Sequence, residues 1–193
     1  MAGKVKNKIV EAAWELFHEK GYDNTTIDDI IRRSGTSKGS FYYHFESKDA
    51  FLGTLSTILD EKYETLLEEM NPDMNSFEKL LYLDVKMHEM LEEKINVDLL
   101  ASLYSTQIVA KEGSLLDQNR FYYKMLHDII EEGQRRGQIC SEKSVSEITK
   151  YYAMCERALV SEWCLHRGNY SLADYSREYF PMMLEHFRVK ESR

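Results

Sequence analysis

Residues 25–49 read TTIDDIIRRSGTSKGSFYYHFESKD, and this stretch decides how the first part of the chain folds. Thr25 or Thr26, with an acidic residue three positions later, forms a capping box that predicts the start of a helix. The apolar residues that follow recur at helical spacing, and the pattern ends near Ser34-Gly35, where glycine favours a turn. The spacing therefore predicts one short helix that ends in a tight turn.

A second short helix is predicted over Lys38 to His44, with Thr36 or Ser37 as its cap. Phe41 and Phe45 face inward, which leaves the side chains that can donate hydrogen bonds on the outer surface. Two short helices joined by a glycine turn are typical of a helix-turn-helix, and such a helix fits the major groove, about 12 Å wide. The outward residues are Lys38, Ser40, Tyr42, Tyr43 and His44.

The residues before this stretch predict a further helix that completes a three-helix head. Its apolar side chains recur on one helical face at Ile9, Ala13, Leu16 and Phe17. Gly21 supplies the left-handed conformation that ends a helix, and Tyr22 is placed to pack back on the last turn.

Residues 17–30 and 35–49 together resemble the DNA-binding head of the tetracycline-repressor-like (TetR) family. The resemblance covers roughly residues 8–55, and beyond it lies in helical layout, with a weaker echo at 133–139. It is carried by Phe17, Lys20-Gly21-Tyr22, Thr25-Thr26, Gly35, Tyr42-x-His44-Phe45 and Ser47-Lys48-Asp49. Two positions depart from the family pattern: Ile31 stands where a small residue is usual, and Thr36 where an aliphatic one is.

The resemblance implies roles for individual residues. Thr26, Tyr42 and Lys48 would contact phosphates, and Lys38, Ser40 and Tyr43 would face base edges. Gly39 would allow close approach of the backbone, His44 could do either task, and Ser37 belongs to the same DNA-binding set. The resemblance also implies a homodimer formed by the last two helices.

Composition agrees with an all-helical protein. Only two prolines and nine glycines occur in 193 residues, and turns between strands need more of both. The longest uncharged run, 99–110, is too short to span a bilayer, and the N-terminus carries no signal-peptide pattern. Three cysteines without a CxxC motif argue against disulfides and a structural zinc site. These features predict a cytoplasmic protein with no membrane partner, no cofactor and no metal.

Charge is distributed unevenly along the chain. The first fifty residues hold eight basic and eight acidic side chains, so the whole net charge of −8 lies in the remainder. An acidic body with a neutral head would orient the head toward DNA. The predicted domains are 1–47, the helix-turn-helix, and 48–193, a helical bundle for ligand binding and dimerisation.

A long helix over 48–70 is predicted to link head and body, and a capping box at 75–78 opens the next helix. On that helix Asp84 and His88 fall one turn apart in the apolar face. Either they satisfy each other as a structural pair, or they recognise a ligand in a cavity. The candidate ligand-binding residues are Asp84, His88, Tyr104, Gln107, Tyr122 and Tyr152.

The two C-terminal helices, 144–167 and 172–187, are apolar over more than one face, which predicts a four-helix interface with a two-fold mate. The candidate interface residues are Cys155, Leu159, Trp163, Tyr179 and Met183. No Gly-rich phosphate loop, HExxH or GxSxG motif occurs, so no enzyme is predicted.

Together these features predict a homodimeric regulator, released from a palindromic operator on double-stranded DNA by an unknown small-molecule effector. Two alternatives stay open: a DNA-binding regulator without an inducer, and an all-helical enzyme or redox sensor that uses Asp84, His88 or a cysteine.

Overall fold

A computed structural model describes residues 2–109 and 114–189, except for the side chains of 2, 52, 53, 106–109 and 114. Across these ranges the chain is helical, and its only β-type pairing is an isolated antiparallel bridge between Ile139 and Arg188. The helices are α1 (Ala2–Lys20), α2 (Ile27–Ser34), α3 (Lys38–His44), α4 (Leu52–Glu69), α5 (Ser76–Lys94), α6 (Val97–Val109), α7 (Phe121–Arg135), α8 (Val145–Leu165) and α9 (Leu172–Leu184). The predicted all-α class is confirmed.

The chain divides into two compact units. Unit 1 comprises Met1–Ile58 and Ile95–Leu115, and unit 2 comprises Leu59–Lys94 and Leu116–Arg193. Unit 1 therefore extends past residue 47, because Phe51 stacks on Phe45 with ring centroids 4.3 Å apart and is fully buried. The division into functional domains at residue 47 stays a prediction, and the compact units do not follow it.

In unit 1, α1, α2 and α3 pack on one another around an aromatic core. Phe17 and Phe41 both lie within about 6 Å of Phe51, measured between ring centroids. Gly21 adopts a positive φ of 82°, and Tyr22 packs on Phe17 with centroids 5.0 Å apart, as the sequence predicts. The three-helix head is therefore held by its own hydrophobic core.

In unit 2, four helices contact one another in a ring: α5 packs on α7 and α9, and α8 packs on the same two. Asn75 and Glu78 exchange hydrogen bonds at the start of α5, and Ser144 and Glu147 do the same at the start of α8. Both capping boxes satisfy backbone N–H groups that a helix start leaves open.

Several helix bounds differ from the prediction. Residues 48–51 form a 3₁₀ turn, so the long helix begins only at Leu52. The apolar spacing over 115–136 predicts one helix, but a 3₁₀ turn at Ser114–Leu116 precedes α7, and the backbone N–H of Arg120 donates to the Asp117 carbonyl at 3.2 Å. Within the described part of the chain, no helix has the length and apolarity needed to cross a bilayer.

Helix α6 is less buried than the uncharged run 99–110 suggests. Leu99, Leu100 and Leu103 are buried, whereas Tyr104 is only half-buried and Ser105 is exposed. An uncharged sequence does not require burial on every side, because serine and alanine tolerate solvent. The lack of charge over 99–110 predicts a helix that is buried around its whole circumference, and this prediction is wrong for the described side chains of α6.

Candidate functional site

The outer surface of the head is built on two capped helices. Thr26 caps α2: its hydroxyl accepts from the Asp29 backbone at 3.2 Å, while the Asp29 carboxylate accepts from the Thr26 backbone at 3.0 Å. The Lys20 ammonium also binds Asp29. Thr26 is exposed at this helix start, where backbone N–H groups favour an anion.

A glycine turn sets the angle between α2 and α3. Gly35 has a φ of 63°, and its N–H and that of Thr36 bond back to the last turn of α2. A residue with a Cβ would be strained in this left-handed conformation. Ser37 then caps α3 by accepting from the Ser40 backbone at 3.1 Å.

The structure places the predicted DNA-binding residues of α3 on its outer surface. Tyr43 is 79% exposed and Tyr42 is 47% exposed, which is unusual for side chains of this size. Phe41, on the opposite side of the helix, is fully buried in the head. Among the other predicted DNA-binding residues of α3 and its cap, Ser37, Lys38 and Gly39 are exposed, whereas Ser40 and His44 are half-buried. Their contacts with DNA stay predictions.

Lys48 has a structural contact that the sequence does not reveal. Its ammonium donates to the Tyr22 carbonyl at 2.8 Å and lies 4.1 Å from the centre of the Tyr22 ring. The Tyr22 hydroxyl in turn donates to the Asp49 carboxylate. Lys48 thus joins the end of the helix-turn-helix to the turn after α1, whether or not it also contacts a phosphate.

A second set of polar side chains is buried in unit 2. Asp84 and His88 are fully buried on α5, with Nδ1 of His88 3.5 Å from Oδ2 of Asp84. Nδ1 also shares a short hydrogen bond with the Ser176 hydroxyl of α9. Within the described residues, neither carboxylate oxygen of Asp84 nor Nε2 of His88 has a hydrogen-bond partner.

Glu156 of α8 completes this cluster, and the sequence analysis missed it. Its two carboxylate oxygens accept hydrogen bonds from the hydroxyls of Tyr63 and Tyr122, and it is 9% exposed. The signal was present, because Glu156 is an acid within the apolar stripe that contains Tyr152 and Leu159. We call Asp84, His88 and Glu156 the buried triad.

Burial changes the protonation of the triad. It raises the pKa of Asp84 well above its usual range, with the Glu156 charge adding to the effect. It also raises the pKa of Glu156, against the hydrogen bonds from the two tyrosines, and lowers the pKa of His88 to about 3. Desolvation disfavours every charged form here.

The other predicted ligand-binding residues divide into three groups. Tyr122 joins the triad through Glu156, and Tyr152 is buried with its hydroxyl donating to the Leu80 carbonyl at 2.9 Å. Tyr104 lies on α6, in unit 1. Gln107 belongs to the residues whose side chains are not described. The structure does not test whether these residues bind a ligand, so their ligand-binding roles stay predictions.

Three predicted interface residues point into the chain's own core. Cys155, Leu159 and Trp163 are 8%, 2% and 5% exposed, so they offer almost no area to a second copy. Their place in a dimer interface stays a prediction, since these side chains pack within unit 2 and Leu159 also lines a surface pocket beside Ala158. Tyr179 is exposed and Met183 half-buried, so both remain candidates.

The exposed apolar side chains of α8 and α9 form a different surface, which we call the C-terminal face. Ala158, Tyr179 and Met183 line a surface pocket of about 230 Å³ on these two helices. The large exposed apolar side chains of this face are Tyr151, Met154 and Leu165 on α8 and Tyr179 and Met182 on α9. Exposed apolar residues at this density mark an interaction surface.

Comparison with known proteins supports a regulator. Residues 9–55 match the family described as "Bacterial regulatory proteins, tetR family". The chain is 27% identical to the HTH-type transcriptional regulator QacR of Staphylococcus aureus over 163 residues, which cover 81% of this chain and 85% of QacR. It is also 54% identical over 44 residues to IcaR, a biofilm-operon negative transcriptional regulator of the same species, covering 23% and 24% of the two chains.

The fold agrees with these sequence matches. The structure of Thermus thermophilus FadR, a TetR-family repressor in complex with lauroyl-CoA, superposes with a TM-score of 0.67 at 21% identity. That superposition covers 97% of each chain. The chain thus has a capped helix-turn-helix with exposed outer residues that matches the DNA-binding domain of the tetR family over residues 9–55, and it is similar over most of its length to an HTH-type transcriptional regulator.

Proposed function

We propose that this protein is a homodimeric repressor that binds a palindromic operator and that a small molecule releases from it. The observation that carries the proposal is the pair of exposed tyrosines, Tyr42 and Tyr43, on a helix anchored from beneath by Phe41. Large exposed side chains on a rigid helix suit the reading of a major groove. IcaR, which shares this head, is described as a negative regulator.

A dimer is required because one recognition helix contacts only a few base pairs. Two heads related by a two-fold axis read two half-sites, about one helical turn or a multiple of it apart. The C-terminal face supplies the exposed apolar area that such a dimer would bury. We place the protein in the cytoplasm, whose reducing conditions suit three cysteines without a CxxC motif.

Release by a small molecule follows the same logic as any population shift. The effector must bind the DNA-free arrangement more tightly than the DNA-bound one, or it changes nothing. Helix α4 contributes residues to both compact units, so we infer that its position couples effector binding to the head. The lauroyl-CoA complex of FadR supports ligand binding by this fold. The proposal assigns no catalytic step and no cofactor to the chain.

Recovery of bound genomic fragments tests the DNA-binding part. The purified chain is expected to retain fragments that share a two-fold symmetric motif. Lys38→Ala should weaken binding to that motif about tenfold or more and lower the salt dependence of binding. Lys94→Ala removes an equally exposed lysine from unit 2 and should leave both unchanged. Equal effects of the two variants, or no retained motif, would contradict the proposal.

A thermal-shift screen tests the effector part. A compound that stabilises the free protein should also release it from the operator, and operator DNA should weaken compound binding by the same factor. If stabilising compounds leave operator affinity unchanged, the regulator without an inducer is the correct reading.

A further inference from the structure

We propose that Asp84, His88 and Glu156 form a binding site for one divalent first-row transition-metal ion within unit 2. One ligand atom from each of these three residues lies within 4.8 Å of the other two. The proposal is independent of the proposed function, because ion binding can be measured without DNA.

Buried polar atoms of Asp84 and His88 lack hydrogen-bond partners. Both carboxylate oxygens of Asp84 and Nε2 of His88 are buried without a well-formed hydrogen bond from any described residue, although the Ser176 hydroxyl, which is bonded to Nδ1 of His88, lies close enough to lower the pKa of Asp84. A buried polar atom that loses its hydrogen bonds to water destabilises the fold unless something replaces them. Three such atoms within one cluster are more than a structural Asp–His pair would leave open. An ion bound between Asp84, His88 and Glu156 would satisfy the open carboxylate oxygens of Asp84.

The negative charge of the two buried carboxylates also favours a bound cation. Two ionised carboxylates buried beside a neutral imidazole carry a charge of −2, which a divalent cation would neutralise. Arg120 and Arg157 lower the pKa of Glu156 by their charge, but neither is given an ion pair with it: Arg120 pairs with Asp60 at 2.6 Å, and Arg157 donates to the Tyr123 hydroxyl at 3.3 Å. Without an ion, the triad has to hold protons to avoid uncompensated buried charge.

Hydrogen bonds also support the candidate ligands. Tyr63 and Tyr122 each donate to one oxygen of Glu156, which fixes the carboxylate plane. Ser176 bonds to Nδ1 of His88, the ring nitrogen that lies 3.5 Å from Oδ2 of Asp84, which fixes the ring beside that carboxylate. Metal sites in proteins use such surrounding hydrogen bonds to orient their ligands.

Ligand chemistry selects the class of ion. One imidazole and two carboxylates suit zinc, manganese, iron, cobalt or nickel in the divalent state, whereas calcium takes six to eight oxygen ligands. Ligand atoms around zinc are about 3.4 Å apart in a tetrahedral site, so the triad has to close by up to about 1.4 Å. Nδ1 of His88 and Oδ2 of Asp84 are already 3.5 Å apart, so closure brings Glu156, together with the two tyrosines that bind it, toward α5.

Sequence motifs alone predicted no metal, because the chain lacks CxxC and HExxH patterns. The three residues of the triad are separated by up to 72 positions, since Asp84 and His88 lie on α5 and Glu156 on α8. Only the packing of the four-helix ring brings them together.

The test is direct metal binding by the full-length protein. After chelator treatment and dialysis, the protein is titrated with Zn²⁺ by calorimetry and with Co²⁺ by visible absorption. We expect one ion per chain, and a Co²⁺ spectrum typical of four or five nitrogen and oxygen ligands. Ca²⁺ should not compete at equal concentration. Absence of stoichiometric Zn²⁺ and Co²⁺ binding to the wild-type protein overturns the proposal without any variant.

Variants assign the site. Asp84→Asn and His88→Gln should each weaken binding about 100-fold or more, and Tyr63→Phe about 10-fold, since it removes only an orienting bond. His166→Gln is the control, because His166 lies beside Glu162 at the surface and could bind an ion non-specifically. Circular dichroism checks that each variant folds. Binding that survives in both triad variants and is lost in His166→Gln overturns the proposal.

Discussion

The ammonium of Lys48 lies 2.8 Å from the carbonyl oxygen of Tyr22 and 4.1 Å from the centre of its ring. A residue that the family resemblance assigns to a phosphate therefore also fastens the head internally. An ammonium has three donors, so one can serve the carbonyl while another faces the solvent. We therefore expect the removal of this ammonium to affect both the stability of the head and the binding of DNA.

Lys48→Ala should destabilise the protein as well as weaken DNA binding. The loss of a charged hydrogen bond and a cation–π contact is expected to lower the free energy of unfolding by about 1–3 kcal/mol. Urea denaturation measures this change, with Lys94→Ala as the control at an exposed site. A variant as stable as the wild type would show that the contact with Tyr22 contributes nothing.

Tyr43→Ala should change the preference among operator sequences. Tyr43 is the most exposed large side chain of α3, so it can reach base edges beyond the backbone. A lost base contact changes affinity by about 1–3 kcal/mol at one position of the site and little at others. Binding to a panel of single-base operator variants measures this. A uniform loss across the panel would assign Tyr43 to a phosphate instead.

Met154→Glu should dissociate the dimer. Met154 is 48% exposed on the C-terminal face, and a buried charge without a partner opposes association. We expect monomers by analytical ultracentrifugation and a loss of operator affinity, with the fold retained. Leu116→Glu places the same charge at a residue that is 53% exposed outside α8 and α9, and it should stay dimeric. Dimers of equal stability in both variants would place the interface elsewhere.

Gly133→Ala should destabilise unit 2 although alanine favours helices. A Cβ at Gly133 would lie 2.8 Å from Cβ of Ser76 and 2.6 Å from Cδ1 of Ile139. The overpacking cost of about 1–3 kcal/mol exceeds the gain in helix propensity of about 1 kcal/mol. Thermal unfolding should therefore show a lower midpoint. Gly3→Ala, in α1 with no atom near its Cβ position, should not lower it.

Acid should weaken the cap of α2. The Lys20 ammonium, followed by the Thr26 hydroxyl, holds the pKa of Asp29 well below its ordinary value of 3.8. The ionised Asp29 carboxylate therefore contributes fully to the free energy of unfolding above pH 3.8, and this contribution is lost as the pH falls further. Asp29→Asn should lower the free energy of unfolding at pH 7, and the difference from the wild type should shrink toward pH 3. A difference that does not change with pH would contradict the pKa shift.

Local sequence was sufficient to predict the fold of the three-helix head. The capping residue Thr26, the turn at Gly35 and the inward Phe41 all lie within a few positions of the structure that they specify. Helix caps and glycine turns act through backbone groups close in sequence, so their effect can be recognised without a tertiary model. The Asp84–His88 pair was predicted for the same reason, since both residues lie on one helix.

The sequence by itself thus determined the helical class, the helix-turn-helix and the residues of its outer surface. The tertiary structure alone decided that Glu156 joins Asp84 and His88, and that Leu159 is core while its neighbour Ala158 is exposed. The physical reason is distance along the chain. Successive helix positions are rotated by about 100°, so a stripe wider than one face has no unique inward direction until its neighbouring helices are placed.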